Sequence, residues 1–293
     1  LNNVAVMYHY VREPDHWNGI VPLSPKHFED QIDYISRTHN IISVNDIRRK
    51  HTKPWCVLTF DDGTKDQYTF AFDILKRKGI SAYFTVMSGP AISQDIPLVH
   101  LVHSVLSFIS DEEMWERINN KFDTRGVEGE SQIYSYEKNI LRRYNKYMLN
   151  FKLSETEVGM FLQDIFNTHF LSKEEFIKDF YLNAAEIKEM HNAGMEIGIH
   201  GNRHLPYNLD PQTFYREEID TCKKWLCSIG IEPRWYTPPF GGGKNFHEMR
   251  NQLTSILISN GINGAFTTQK GFISDNQDFW MNRIDCNQIK QLI

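Results

Sequence analysis

Short β-branched runs alternate with amphipathic helical stretches along most of this chain, so the hydrophobic period switches repeatedly between two and about 3.6. Val4 to Tyr8 ("VAVMY") predicts a strand. The stretch "LSPKHFEDQIDYIS" predicts a helix, with Ser24 as N-cap, Pro25 at the first helical position and Phe28, Ile32 and Ile35 on one face. Next come the strand "WCVLTF", the helix "DQYTFAFDILKRKGI" closed by Gly79, and the strand "SAYFTVM". The alternation then stops. Residues 89–181 read as almost wholly helical, with an amphipathic "LVHLVHSVLSFI" and capping boxes at Ser154/Glu157 and Ser172/Glu175. Beyond them the rhythm returns as helix "NAAEIKEMHNAG", strand "MEIGIH", helix "DPQTFYREEIDTCKKWLCSIG", strand "RWYT", helix "FHEMRNQLTSILISNG" and strands near "GAFT" and "WMNRID".

Roughly seven strands alternating with helices predict an α/β fold built on a parallel sheet, and a single barrel suits them better than two unrelated domains. The expected organisation is therefore one domain over 1–293 with a mainly helical insertion at about 89–181. Tyr, Lys and Arg in "YSYEKNILRRYNKYM" could cover a site or contact a polar substrate, but a solvated helical face is the simpler explanation.

Composition narrows the functional classes. A formal net charge of -5 and a pI near 6.2 provide no general basic field, which argues against nucleic acid or an anionic membrane as the main partner. No apolar run is long enough to span a bilayer. The opening "LNNVAVMYHY" has none of the features of a signal peptide, although a trimmed leader or anchor is compatible with a chain that starts inside a strand pattern. Cytoplasmic action on a precursor is the resulting expectation. Cys56, Cys222, Cys227 and Cys286 form no CxxC pair and are read as buried free thiols. The oligomeric state has no signature in the chain.

Candidate chemistry gathers at the C-terminal ends of predicted strands, which in parallel α/β architectures share one face. Asp61 and Asp62 end "WCVLTF", His200 ends "MEIGI", and "TPPFGG" follows "RWYT". Adjacent carboxylates at the end of a buried strand need compensation, and a cation is the usual one. Alone, "DDG" would be only a turn after a strand. "HGNRH", His200 to His204, is the one histidine pair spaced four apart, weak evidence by itself among 12 histidines. Two imidazoles and one carboxylate would leave an open position on a divalent cation, where water is acidified towards neutrality. Successive side chains at a strand end diverge, so one aspartate can ligate while the other accepts a proton.

"TFDDG", "HGNRH" and "TPPFGG", in that order and each after a strand, resemble three signature motifs of the polysaccharide deacetylase family, also called NodB-like or carbohydrate esterase family four. "VMYHYV" with the following "LSPKHFEDQIDYIS" is similar to the branch with an N-terminal Met-Tyr-His motif. The resemblance implies a distorted (β/α)7 barrel, the NodB homology fold, and covers nearly the whole chain outside the insertion. It implies Asp61 as general base, Asp62, His200 and His204 as ligands of a divalent metal, usually zinc, and His9 as the acid that protonates the departing amine. The amide of Phe240, beside the double proline, is implied as an oxyanion donor.

The implied reaction is removal of an N-acetyl group from an amino sugar of a bacterial polysaccharide or its precursor. Alternatives are a non-catalytic sugar-binding module, or a deacylase of O-acyl or other amide substrates. Many members of the family place arginine before the double proline to orient the catalytic aspartate, whereas this chain has Thr237. Arg283 in "WMNRID" is the expected substitute. Tyr8, Asn202, Arg203 and Pro239 are expected to contact substrate.

Overall fold

In the computed structural model, which describes residues 2–14, 17, 19–169, 172–274 and 277–292, the alternating segments form eight strands. They are β1 (Val4–Tyr8), β2 (Asn40–Ile41), β3 (Trp55–Phe60), β4 (Tyr83–Met87), β5 (Glu196–Gly201), β6 (Trp235–Tyr236), β7 (Gly264–Lys270) and β8 (Trp280–Asp285). Their order is β1-β8-β7-β6-β5-β4-β3-β2, and an additional β1–β3 pairing closes seven of them into a barrel. Every pairing is parallel. All seven C-terminal ends therefore open on one rim, as the predicted (β/α)7 barrel requires. The two-residue β2 lies outside the ring on the start of β3, and no hydrophobic pattern in so short a stretch announced it.

Alternation along the strands divides the core in two. Ala5, Val57, Tyr83, Trp235, Phe266 and Met281 form an inner cluster together with Val44 and Ile47. The alternate residues, among them Val4, Val6, Leu58, Phe60, Phe84, Ile197, Ile199 and Ile284, pack outward with the helices. Tyr8, Phe60 and Phe84 stack ring on ring across β1, β3 and β4, at 5.1 and 4.4 Å between centroids. Phe28, from the helix Pro25–Thr38, meets Tyr8 edge-on. Ser24 caps that helix by accepting from the His27 amide, and Phe28, Ile32 and Ile35 are its buried face.

Gly198 on β5 faces the lumen, and a methyl group there would lie 2.4 Å from Tyr83 Cε2 and 2.8 Å from the Trp235 carbonyl oxygen. Tyr83 is fully buried and cannot swing aside. Gly198→Ala should therefore cost about 1–3 kcal/mol by overpacking, read as a lower urea midpoint at unchanged m-value.

The chain divides into two compact units. The first, Leu1–Glu13 with Leu23–Asp95 and Ile177–Ile293, contains the barrel; the second is Pro14–Pro22 with Ile96–Phe176. The second is helical, with Leu98–Phe108, Asp111–Lys121, Ile140–Tyr147 and Glu155–His169 as its longer segments. Its interior holds a buried ion pair, Arg142 Nε to Asp111 Oδ1 at 2.5 Å, and Asn145 donates to the same aspartate. The Ser154/Glu157 capping box forms reciprocally. Among the described residues no helix is long and apolar enough to cross a membrane.

Two expectations need correction. The helix after β3 opens as a π-helical stretch, Gln67–Phe72, before the α-helix Asp73–Lys78. Of the four thiols only Cys56 and Cys222 are buried; Cys227 is exposed and Cys286 intermediate, because the helix that carries Cys222 inward turns Cys227 to the other side.

Candidate metal centre and active site

Strand parity sends Asp61 inward, on the same face as Val57 and Thr59, and Arg283 of β8 comes from the inward face as well. Met7 is level with Thr59 on one side and with Asp285 on the other. Arg283 thus starts deeper in the barrel than Asp61 and climbs past Thr59 to meet it. The guanidinium grips the carboxylate with two bonds, Nη1 to Oδ1 and Nη2 to Oδ2, each 2.7 Å. Its remaining donors go to Thr59 Oγ1 (3.0 Å) and the Thr267 carbonyl (2.8 Å). Both side chains are almost completely enclosed. Burial alone would raise the Asp61 pKa, but the Arg283 charge and hydrogen bonds, helped by His200 and His9, reverse it and hold the carboxyl below its ordinary value. Asp61 is therefore ionised and oriented, with His9 Nε2 3.7 Å from its Oδ2.

Asp62 turns the other way. At φ 77° its backbone leaves the strand conformation, followed by Gly63 at φ 65°. Its Oδ1 lies 3.0 Å from His200 Nε2 and 3.3 Å from His204 Nε2. One ligand atom from each of the three residues falls within 4.8 Å of the others, and all three are buried. Bonds of about 2.0–2.2 Å to a tetrahedral cation imply edges of roughly 3.4 Å, so this donor set fits a divalent metal with one position open. The ring of His200 is held in one orientation: Nδ1 donates to the Thr237 carbonyl at 2.7 Å, so Nε2 is the nitrogen that faces Asp62 and the one a cation would engage. Burial opposes protonation of His200, yet Asp62, and behind it Asp61, outweigh burial and hold its pKa above the ordinary imidazole value. Two imidazoles against one carboxylate thus present a concentration of ligating groups that a cation would organise.

Backbone strain marks the same place. Five non-glycine residues among those described have positive φ, and three of them, Asp62, His204 and Phe240, line this site. The loop carrying His204 is held from below by Glu218, a buried carboxylate of the π-helical stretch Tyr215–Asp220. Its Oε2 accepts from the amides of Asn202 and Arg203 at 3.2 and 2.9 Å, and Oε1 accepts from Arg203 Nε at 3.0 Å. From the side, the loop after β4 adds Ser88 N–H to the Gly201 carbonyl and Gly89 N–H to the Asn202 carbonyl. Phe240 sits at φ 54° with its ring edge-on to His204, 4.6 Å between centroids, and is 51% exposed.

Asp61, Asp62, His9, His200, His204, Phe240 and Arg283 thus lie around one rim of the barrel. The four residues expected to contact substrate fare differently. Tyr8 is wholly buried in the aromatic stack on the outer side of β1, and Pro239 is buried too, so neither has surface to offer a sugar. The Asn202 Oδ1 accepts from Ser88 Oγ at 2.9 Å, and Arg203 is committed to Glu218, with Nη2 3.5 Å from Glu217. Their first task is to shape the ligand loop. Missed from the sequence were Glu218, Thr59, Gln67 and the Thr237 carbonyl, none of which carries a local signal.

Comparison with known proteins follows the same lines. The family model described as polysaccharide deacetylase matches residues 160–260, a stretch containing both histidines and the double proline but neither aspartate. Similar solved structures include IcaB from Ammonifex degensii (15% identity, TM-score 0.59, covering 99% of this chain and 95% of that one). The Streptococcus pyogenes deacetylase PplD in complex with acetate is 16% identical at TM-score 0.56, covering 97% and 92%. A de-N-acetylase from Aggregatibacter actinomycetemcomitans is 16% identical at TM-score 0.55, with 100% of each chain covered. At such identities the likeness is one of fold. No curated protein matches the sequence. The polysaccharide deacetylase match lies over His200, His204 and the double proline, and the similar solved structures share the fold of the barrel that runs from β1 to β8.

Proposed function

We propose that the protein is a metal-dependent hydrolase that removes the N-acetyl group from an amino sugar of a bacterial polysaccharide or its precursor. The observation that carries this reading is the division of labour between neighbouring carboxylates: Asp61 is ionised and pinned by Arg283, while Asp62 turns away to join His200 and His204. A binding module needs no proton acceptor kept charged at such a cost in burial.

Asp62, His200 and His204 would hold the cation, and zinc suits two imidazoles and a carboxylate. Once bound it would supply Lewis acidity to the acetamide carbonyl and acidify water beside it. Asp61 accepts the proton from the attacking water. The Phe240 amide would donate to the oxygen on which negative charge develops. His9, 42% exposed by side chain and 3.7 Å from Asp61, stands where it can hand a proton to the departing amine. The half-exposed Phe240 ring offers the sugar an apolar wall.

The test combines cation analysis with acetate release. Treatment with a chelator should abolish release from an N-acetylglucosamine oligomer, and zinc should restore it. His200→Ala should weaken cation binding by more than about 100-fold, beyond what loss of an outer hydrogen bond to a ligand costs. A protein that holds its cation yet frees acetate from no acetamido sugar is a binding module instead. Release only from O-acetylated sugars would reassign the bond that is cleaved.

A further inference from the structure

Gln67 is completely buried at the start of the π-helical stretch that follows β3, so it presents no surface to a substrate. Its amide nitrogen donates twice, to the His9 carbonyl at 2.9 Å and to the Asp61 carbonyl at 2.5 Å. These are the backbones of the two residues to which acid and base are assigned. The residue before it, Asp66, is also buried and accepts from the Val11 amide at 2.7 Å, two positions beyond His9. Arg12 N–H to the Leu23 carbonyl and Leu23 N–H to the Tyr10 carbonyl then tie down the outer part of that loop. Nothing in the ladder reaches this far: β1 pairs with β3 only as far as Tyr8 and Phe60, with a single further bond from Asp61 N–H to the Tyr8 carbonyl. Beyond that point the separation of the two exit loops depends on side chains.

We infer that Gln67 is a positioning residue, a two-point clamp that sets the spacing between His9 and Asp61 so that one acetamide can be served by both. This rests on the deacetylase reading for its consequence, though not for its geometry. Gln67 opens a π-helical stretch, and such turns recur at functional sites. Within the clamp the geometry allows little substitution. A shorter amide loses the reach to one carbonyl, and a carboxylate would set negative charge against two carbonyl oxygens. A displacement of about 1 Å between reacting groups can lower a rate about 100-fold.

Gln67→Leu keeps the volume and removes both donors. In crystal structures of the two proteins, the His9 Nε2 to Asp61 Oδ2 separation should widen by about 1 Å or more in the variant, while the Asp62/His200/His204 cluster stays in place. In solution, kcat for acetate release should fall by about 10- to 100-fold with KM and zinc affinity changed less than about threefold. Leu257→Ala serves as a control for lost stability, since Leu257 is buried in the helix Phe246–Ser259 away from this site. At a temperature where both variants are folded, it should keep the kcat of the parent.

An unchanged separation in Gln67→Leu overturns the inference whatever the activity. So does a kcat loss that Leu257→Ala reproduces at equal loss of Tm. If the parent itself frees no acetate, the proposed function fails, and the crystallographic distance still decides whether Gln67 is the clamp.

Discussion

Asparagine at position 61 should lower acetate release by about 10²–10⁴-fold and leave cation stoichiometry unchanged. The amide keeps the shape of the carboxylate and one acceptor for Arg283, but has no basicity. The contacts that gather Asp62, His200 and His204 run between those three residues, so the ligand cluster should stay in place, although His200 loses the support of the Asp61 charge. Some stability is lost with the charge, since Arg283 is entirely enclosed and keeps only neutral partners, Thr59 Oγ1, the Thr267 carbonyl and the new amide. The decisive comparison is with Asp62→Asn, which should lose both activity and the cation. Asp61→Asn protein that retains more than about a tenth of the parental rate would remove Asp61 from the role of base.

Methionine in place of Arg283 should have two consequences, both of which follow from a buried carboxylate deprived of its counter-charge. Stability near neutral pH should fall by about 3–5 kcal/mol, the cost of leaving one member of an enclosed ion pair alone. Burial, the largest influence on Asp61, would then raise its pKa unopposed by the guanidinium. In the parent the folded-state pKa lies below the unfolded one, so the stabilisation from this group is present above the unfolded value and disappears as pH falls through the folded one. In the variant the sign reverses. Asp61 binds its proton more tightly in the folded state, and stability falls as pH rises past the unfolded value.

The acid limb of the rate profile should move upwards for the same reason, because a protonated Asp61 accepts nothing. Lysine at position 283 should rescue little, having no fork to match the two carboxylate oxygens. The double variant Asp61→Asn/Arg283→Met should regain part of the lost stability without regaining activity. Urea titrations at several pH values and the pH dependence of acetate release check both consequences. A stable Arg283→Met protein with the parental profile would mean that the pair does not keep Asp61 charged.

These variants separate what could be read along the chain from what required its folding. Strand and helix periods, the cap at Ser24, the "DDG" turn and the histidine pair are local features, visible wherever a few residues state their own preference. Parallel strands then place every C-terminal end on one rim, so Asp61, His200 and the double proline could be brought together on paper. Their order along the chain also carried the family resemblance.

Other decisions depended on tertiary register. Arg283 reaches Asp61 only because β1 closes the ring between β3 and β8, and because both residues fall on the inward parity of their strands. Tyr8, one position before His9, takes the opposite parity and disappears into the stack with Phe60 and Phe28, which is why an aromatic beside the site offers no sugar platform. Glu218, sixteen and fifteen residues further on, accepts from the amides of Asn202 and Arg203 and so makes both part of the support of the ligand loop. Gln67 gave no sign of its place between two strand ends, since a buried amide is recognisable only by the carbonyls around it. Hydrophobic period and turn chemistry are short-range and survive in the bare sequence; the partner of a buried polar group is chosen by strand register and barrel closure, which exist only once the whole ring has formed.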